Sequence, residues 1–336
     1  MEEWGVLFRA EVLPRMDPTS RAVLAQVNRA GRDAVRLPAH LACAGRTVGV
    51  PLKVADFVGS VGRLAWAKEN GCPWNARSCA HVARAGNLEA LQWARAHGCP
   101  WDGRSCWCAA RSGHLEVVDW LITEGGDINY ARAPRGATAL YCAAKKGHLD
   151  VVGRLIGAGA AVDRALTVTG ATPLFAAAEM RHLDVVGLLV VAGADVNIAL
   201  TDTGVTPLYI AAHYGHMDVV AQLTAAPGLD FNKAHTSDGS TPMYAAAWAG
   251  HTHVVELLLA APGVNVNLAN NTGNTPLFIS ASNGLTEVVE RLLAAPGVDV
   301  NQAHMNGTTP LSIALFKGHA AVAQQLRAAG ATEPHG

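Results

Sequence analysis

Thr206-Pro207-Leu208-Tyr209-Ile210-Ala211-Ala212-His213-Tyr214-Gly215-His216-Met217-Asp218-Val219-Val220 is one copy of a module that recurs through the C-terminal two-thirds of the chain. Copies begin at Thr138, Thr172, Thr206, Thr241, Thr275 and Thr309, at intervals of 34 or 35 residues. A fixed period in this range marks a stacked-repeat solenoid, in which each unit is too small to bury its own apolar face. The 336 residues are therefore expected to form one elongated array and not two or three globular domains.

Each recurring letter has a physical role. Thr172 is placed to cap the first helix of its unit by accepting from a backbone N–H, a contact worth about 1 kcal/mol. Pro173 falls at the first helical position, where its missing donor costs nothing. Leu174, Ala177 and Ala178 make a narrow inner face whose small side chains let layers approach. Gly215 ends the first helix, and the next presents Val219, Val220 and Leu223 to the core. Pro227-Gly228 turns the chain into an extended connector with its tip around Ser237-Asp238-Gly239. Departures are Ala139 in place of Pro, Leu285 in place of His, and Arg181 in place of Gly, where the helix is expected to end without a left-handed residue. In the last unit Gln324, Gln325 and Arg327 replace the Leu-rich run Glu256-Leu257-Leu258-Leu259, as suits a terminal repeat with a solvated outer face.

The pattern Thr-Pro-Leu-x-x-Ala-Ala-x-x-Gly-His-x-x-Val-Val, followed by Leu-Leu and Gly-x-Asp-Val-Asn, resembles the ankyrin repeat. The resemblance implies an all-α repeat solenoid of stacked helix-turn-helix units, with β-hairpin fingers in the C-terminal two-thirds, and six such repeats over residues 127–336. Residues 50–126 carry a shorter period. Gly71-Cys72-Pro73-Trp74 returns as Gly98-Cys99-Pro100-Trp101 after 27 residues, with two helix-length segments between. This is similar to a short ankyrin-like variant that replaces the hairpin with a Gly-Cys-Pro-Trp turn. Trp66, Trp93 and Trp120 share the 27-residue step, and tryptophans in register between layers are expected to be core.

Residues 1–49 have no repeat. Asp17 or Thr19 is placed to cap a helix bearing Leu24 and Val27 on its apolar stripe. With Leu13, Pro14 and Leu24-Ala25-Gln26-Val27-Asn28-Arg29, the segment resembles a degenerate F-box. It departs from that family's pattern at its leading pair, in lacking the tryptophan that commonly follows the helix, and in having Gly31 within it. The resemblance implies docking of a ubiquitin-ligase adaptor; the alternative is a helical cap over the first repeat.

Composition bounds the function. Only 16% of residues are charged and the net charge is −1, so no strong overall field recruits nucleic acid or an anionic membrane. The acidic start Met1-Glu2-Glu3-Trp4 does not read as a signal peptide. Asp184 and Asp195 interrupt the most apolar run, Leu183 to Leu200, which does not read as a membrane span. Seven cysteines, an odd number without a secretion signal, point to reduced thiols and a cytoplasmic or nuclear setting.

No catalytic constellation is legible. Cys72, Cys79, Cys99, Cys106 and Cys108 lack a C-x2-C knuckle, and equivalents lie one repeat apart, so they are expected to be buried small apolar groups. His148, His216, His251 and His319 also recur one per layer and are expected to bond the local backbone. No phosphate-binding glycine motif is present. No cofactor or metal is expected, and the chain reads as a non-enzymatic scaffold for a protein partner.

The resemblance places partner binding on the concave face, at the pair preceding each Gly-His. These positions are Lys145 and Lys146, Glu179 and Met180, His213 and Tyr214, Trp248 and Ala249, Ser282 and Asn283, and Phe316 and Lys317. Aromatic residues there are interface anchors in kind, and Met180, Tyr214 and Trp248 are the expected centre. A second column, Tyr141, Phe175, Tyr209, Tyr244 and Phe278, is expected to pack between layers.

Overall fold

The computed structural model describes residue 54 and residues 57–332. The F-box-like residues Leu13, Pro14, Leu24 and Val27 lie outside them. By its contacts the chain divides between Asp56 and Phe57, and the second unit holds the repeats.

Helix α1 (Val61–Glu69) is followed by eight helix pairs: α2 (Ala76–Ala85) and α3 (Leu88–Ala96), α4 (Gly103–Ser112) and α5 (Leu115–Thr123), α6 (Ala139–Lys146) and α7 (Leu149–Gly157), α8 (Pro173–Glu179) and α9 (Leu183–Val191), α10 (Pro207–His213) and α11 (Met217–Thr224), α12 (Pro242–Ala249) and α13 (Thr252–Ala260), α14 (Pro276–Ser282) and α15 (Thr286–Leu293), and α16 (Pro310–Lys317) and α17 (Ala320–Ala328). Within each pair the two helices pack together, and each first helix packs on the first helix of the next pair. The two 27-residue units thus continue the stack of the six longer ones.

The caps form where the sequence places them. Thr172, Thr206, Thr241 and Thr275 accept through Oγ1 from the backbone N–H three residues on, at 3.0–3.2 Å. The threonines are nearly inaccessible, so each cap also settles a donor that water could not reach. Ala143, Ala144, Ala177, Ala178, Ala211, Ala212, Ala246 and Ala247 have no exposed surface. A larger side chain there would force layers apart, because packed interiors do not yield to added volume.

Three details differ from expectation. Arg181 adopts the left-handed conformation itself, with φ +57°. The turn into α9 requires that geometry whatever residue occupies it, at a cost of roughly 1–2 kcal/mol for an L-residue. The histidines do not bond local backbone. Nε2 of His148, His182, His216, His251 and His319 lies 3.0–3.2 Å from a carbonyl 37 or 38 residues earlier, on the first helix of the preceding repeat. The tryptophans Trp66, Trp74, Trp93, Trp101 and Trp120 are half-buried, not core. Four of them pair within their repeats, Trp74 with Trp93 at 6.1 Å and Trp101 with Trp120 at 5.9 Å, and Lys68 and Arg95 lie over Trp74 and Trp101.

The fingers are tight turns. They are closed by two cross-turn backbone bonds, such as Leu200 N–H to the Val205 carbonyl and Gly204 N–H to the Leu200 carbonyl, both at 2.9 Å. Arg132 and Ala137 form the single isolated bridge among the described residues. Adjacent fingers are tied by backbone bonds, including Thr201 N–H to the Thr169 carbonyl at 2.9 Å and Thr236 N–H to that of Thr203 at 2.7 Å. The Asn of Gly-x-Asp-Val-Asn is a second tie. Asn197 donates through Nδ2 to the Gly228 carbonyl and accepts from Asp230 N–H, both at 2.8 Å.

Candidate protein-binding surface

The column ahead of each Gly-His falls at the C-terminal end of the first helices, and its side chains emerge between layers. Tyr214 is 52% exposed, Trp248 50% and Met180 43%, against 0–2% for Leu174, Leu208 and Met243 in the first turns of the same three layers. The first-turn column behaves differently. Tyr141, Phe175 and Phe278 are buried, while Tyr209 and Tyr244 are half-buried. A cluster of Trp107, Tyr141, Cys142, Phe175 and Val205 fills the space between fingers and first helices. That column is interlayer packing, as expected.

The structure brings His213, Tyr214 and Trp248 together. The His213 ring lies parallel to Trp248 in the next layer, at 5.7 Å and 10°, and parallel to Tyr209 on its own helix, at 6.4 Å and 11°. Tyr214 meets His213 edge-on at 5.1 Å and stacks on His216 at 5.7 Å. Burial, and to a lesser degree the neighbouring His251, holds the His213 imidazole below its ordinary pKa. The ring at the centre of the stack thus favours its neutral form. Tyr209, assigned by sequence to packing, also belongs to this stack. The available signal was its spacing of four from His213, which puts both on one helix face.

The remaining positions are not gathered. Lys145 pairs with Glu179 at 3.6 Å, one layer apart, and Lys146 is exposed. Phe316 is 85% exposed and Lys317 is exposed beside it. They are separated from Trp248 by the layer of Ser282 and Asn283, where Asn283 donates to the Trp248 carbonyl at 3.3 Å.

The six described cysteines are free thiols, and all but Cys108 are buried. Burial pushes the Cys106 thiol up to about 12 and that of Cys142 to about 11. Cys79 and Cys99 of successive repeats do meet, contrary to a simple ridge. Cys79 Sγ donates to the Cys99 carbonyl at 3.8 Å, and Cys99 Sγ donates to that of Asn75 at 3.5 Å. The Cys99 side chain beside it, followed by burial, raises the Cys79 pKa, and the same neighbour relation lowers that of Cys99. Among the described residues no three His, Cys, Asp or Glu side chains are grouped to hold a metal ion. No described helix is long and apolar enough to cross a membrane.

The sequence matches the family model for ankyrin repeats in three copies, over residues 105–200, 188–270 and 260–334. No curated protein sequence matches the chain. Among solved structures, the crystal structure of the human ASB11 ankyrin repeat domain is similar, with 26% identity and a TM-score of 0.57 over 68% of this chain and 99% of that one. With the family pattern spanning well over half of its length, in agreement with the capped and stacked helix pairs, the chain belongs to the ankyrin-repeat family.

Proposed function

We propose that the chain binds a protein partner through the first-helix face, with Tyr214, His213 and Trp248 as the anchor. Ankyrin repeats are in general protein–protein interaction modules and typically non-enzymatic. The observation that carries the reading is three rings in mutual contact, His213 parallel to Trp248 and edge-on to Tyr214, with the tyrosine and tryptophan half-exposed. Hot spots favour Trp and Tyr, and rings already fixed by one another lose little freedom on binding. Met180, Glu179, Lys145 and Lys146 extend the surface on one side, and Phe316 and Lys317 on the other. Tyr214→Ala with Trp248→Ala is expected to abolish capture of a partner identified by affinity purification, while the thermal midpoint moves little. A large loss of stability would identify the rings as core and overturn the assignment.

The second reading is a ubiquitin-ligase substrate receptor in which residues 11–36 dock an adaptor and the repeats hold the substrate. Its support is the resemblance of Leu24-Ala25-Gln26-Val27-Asn28-Arg29 to the F-box helix, with Leu13 and Pro14 in the turn ahead of it. Deleting residues 1–49 tests it, because adaptor association that survives the deletion removes this reading.

A further inference from the structure

A net charge of −1 conceals a strongly basic cleft at the N-terminal end of the array. Its volume is about 530 Å³, and Arg77, Arg84, Arg104, Arg111 and Arg132 all line it, with no aspartate or glutamate in the lining. Three elements supply these arginines: α2, α4 and the connector after α5. Of the five, only Arg104 is in an ion pair among the described residues, with Asp102 at 3.5 Å.

Three of the arginines are held in place by aromatic side chains in the lining. The guanidinium of Arg132 lies 4.2 Å from the Trp107 ring centroid and that of Arg111 lies 5.3 Å from it. Arg104 donates through Nε to the Tyr130 hydroxyl at 3.4 Å. A guanidinium stacked on a ring keeps its in-plane N–H groups free for an oxyanion, and its position is already fixed. The five cations, without acidic groups in the lining, repel one another, and an anion relieves that repulsion as it binds.

The cleft is continuous in register with the surface proposed above. Reading the residue two before each helix-ending position gives Arg84, Arg111, Lys145, Glu179, His213, Trp248, Ser282 and Phe316. The face is basic at its start and aromatic in the middle, and the Lys145–Glu179 pair marks the change. A nucleic acid fits this pattern poorly, because backbone tracking needs a basic stripe over a larger area and this stripe ends at Glu179.

We infer that the cleft is an oxyanion pocket for an acidic peptide segment of the partner, its carboxylate or phosphorylated side chains meeting the arginines on Trp107 and Tyr130. The inference rests on the first-helix face being the partner surface and specifies the chemistry recognised at its basic end.

The test uses the full chain and fluorescence anisotropy of three labelled probes: an octaglutamate peptide, a Ser/Gly peptide carrying phosphoserines to equal charge, and single-stranded RNA of equal charge. One of the peptides is expected to bind, with affinity falling at least tenfold between roughly 50 and 300 mM NaCl. In Arg84→Gln with Arg111→Gln the same affinity is expected to drop by about tenfold or more, and likewise in Arg132→Gln, a second variant that leaves both helices untouched. Whichever peptide binds tighter identifies carboxylate or phosphate as the source of the anion. Circular dichroism melts matching the parent confirm folded variants. The inference is overturned if neither peptide binds below ~1 mM, if binding ignores the arginine substitutions, or if RNA binds tighter with the same arginine dependence. Trp248→Ala separates the two readings. If partner capture requires Trp248 while both peptides fail, the oxyanion pocket falls and the aromatic anchor stands.

Discussion

Gly215→Ala tests how the layers are held together. Gly215 has φ +71°, and a Cβ built there would stand 2.6 Å from Nδ1 of His251 in the next repeat. The left-handed backbone costs an L-residue roughly 1–2 kcal/mol. His251 must also withdraw, breaking its 3.0 Å contact with the His213 carbonyl, which removes about 1 kcal/mol more. The expected destabilisation is about 2–3 kcal/mol. Gly228 is the control. Its φ is +74° and a Cβ there meets nothing within 4 Å, so Gly228→Ala should cost only the backbone portion, about 1–2 kcal/mol. His251→Ala loses the bond and some packing, about 1–2 kcal/mol. With the imidazole already gone, the methyl of Gly215→Ala has space. The double variant should therefore fall short of the sum of the singles by roughly 1 kcal/mol or more. Urea unfolding followed by circular dichroism, with slopes that match across the variants, measures all four. Equal costs at Gly215 and Gly228, or singles that add within about 0.3–0.5 kcal/mol, would refute the glycine–histidine contact.

Arg181→Gly is expected to change stability by between zero and about +2 kcal/mol. It relieves the left-handed strain but removes an exposed ion pair with Asp218 at 3.1 Å, itself worth up to about 1 kcal/mol. A clear loss in urea titration would show that the pair outweighs the strain. NMR titration of His213 should give a pKa below about 6.5, since burial disfavours its charged form. The unfolded chain then binds the proton more readily, so this contribution to stability is full above about pH 6.5 and is lost as pH falls through the folded value. A pKa at or above the ordinary value would contradict the partial burial of His213 in the stack. Cys106 and Cys142, with thiols raised to about 12 and 11 by burial, should react with a thiol reagent at pH 8 only as fast as the array opens. Labelling of either at the rate of a free thiol would contradict their burial.

The period of Thr138 to Thr309 and the Thr-Pro-Leu, Ala-Ala and Gly-His letters were enough to specify capped helix pairs, their number in the long-repeat region and their alanine-lined contacts. These are local matters: a cap acts within three residues, a helix stripe within one turn, and the period itself requires neighbours. The exposure of Tyr214 and Trp248 was also legible, because a position between a buried alanine pair and a helix-ending glycine has little choice of face. Tertiary structure alone decided what the layers do to one another. His251 reaches a carbonyl 38 residues back, Asn197 bridges to Gly228, and Arg181 takes a glycine's conformation because the next helix must start in register. The arginine cleft belongs to the same class. Arg77, Arg84, Arg104, Arg111 and Arg132 are scattered over 56 residues of sequence and disappear into a net charge near zero. Stacking successive helices places them around one cavity, because charge is felt through space and the sequence records only its order along the chain.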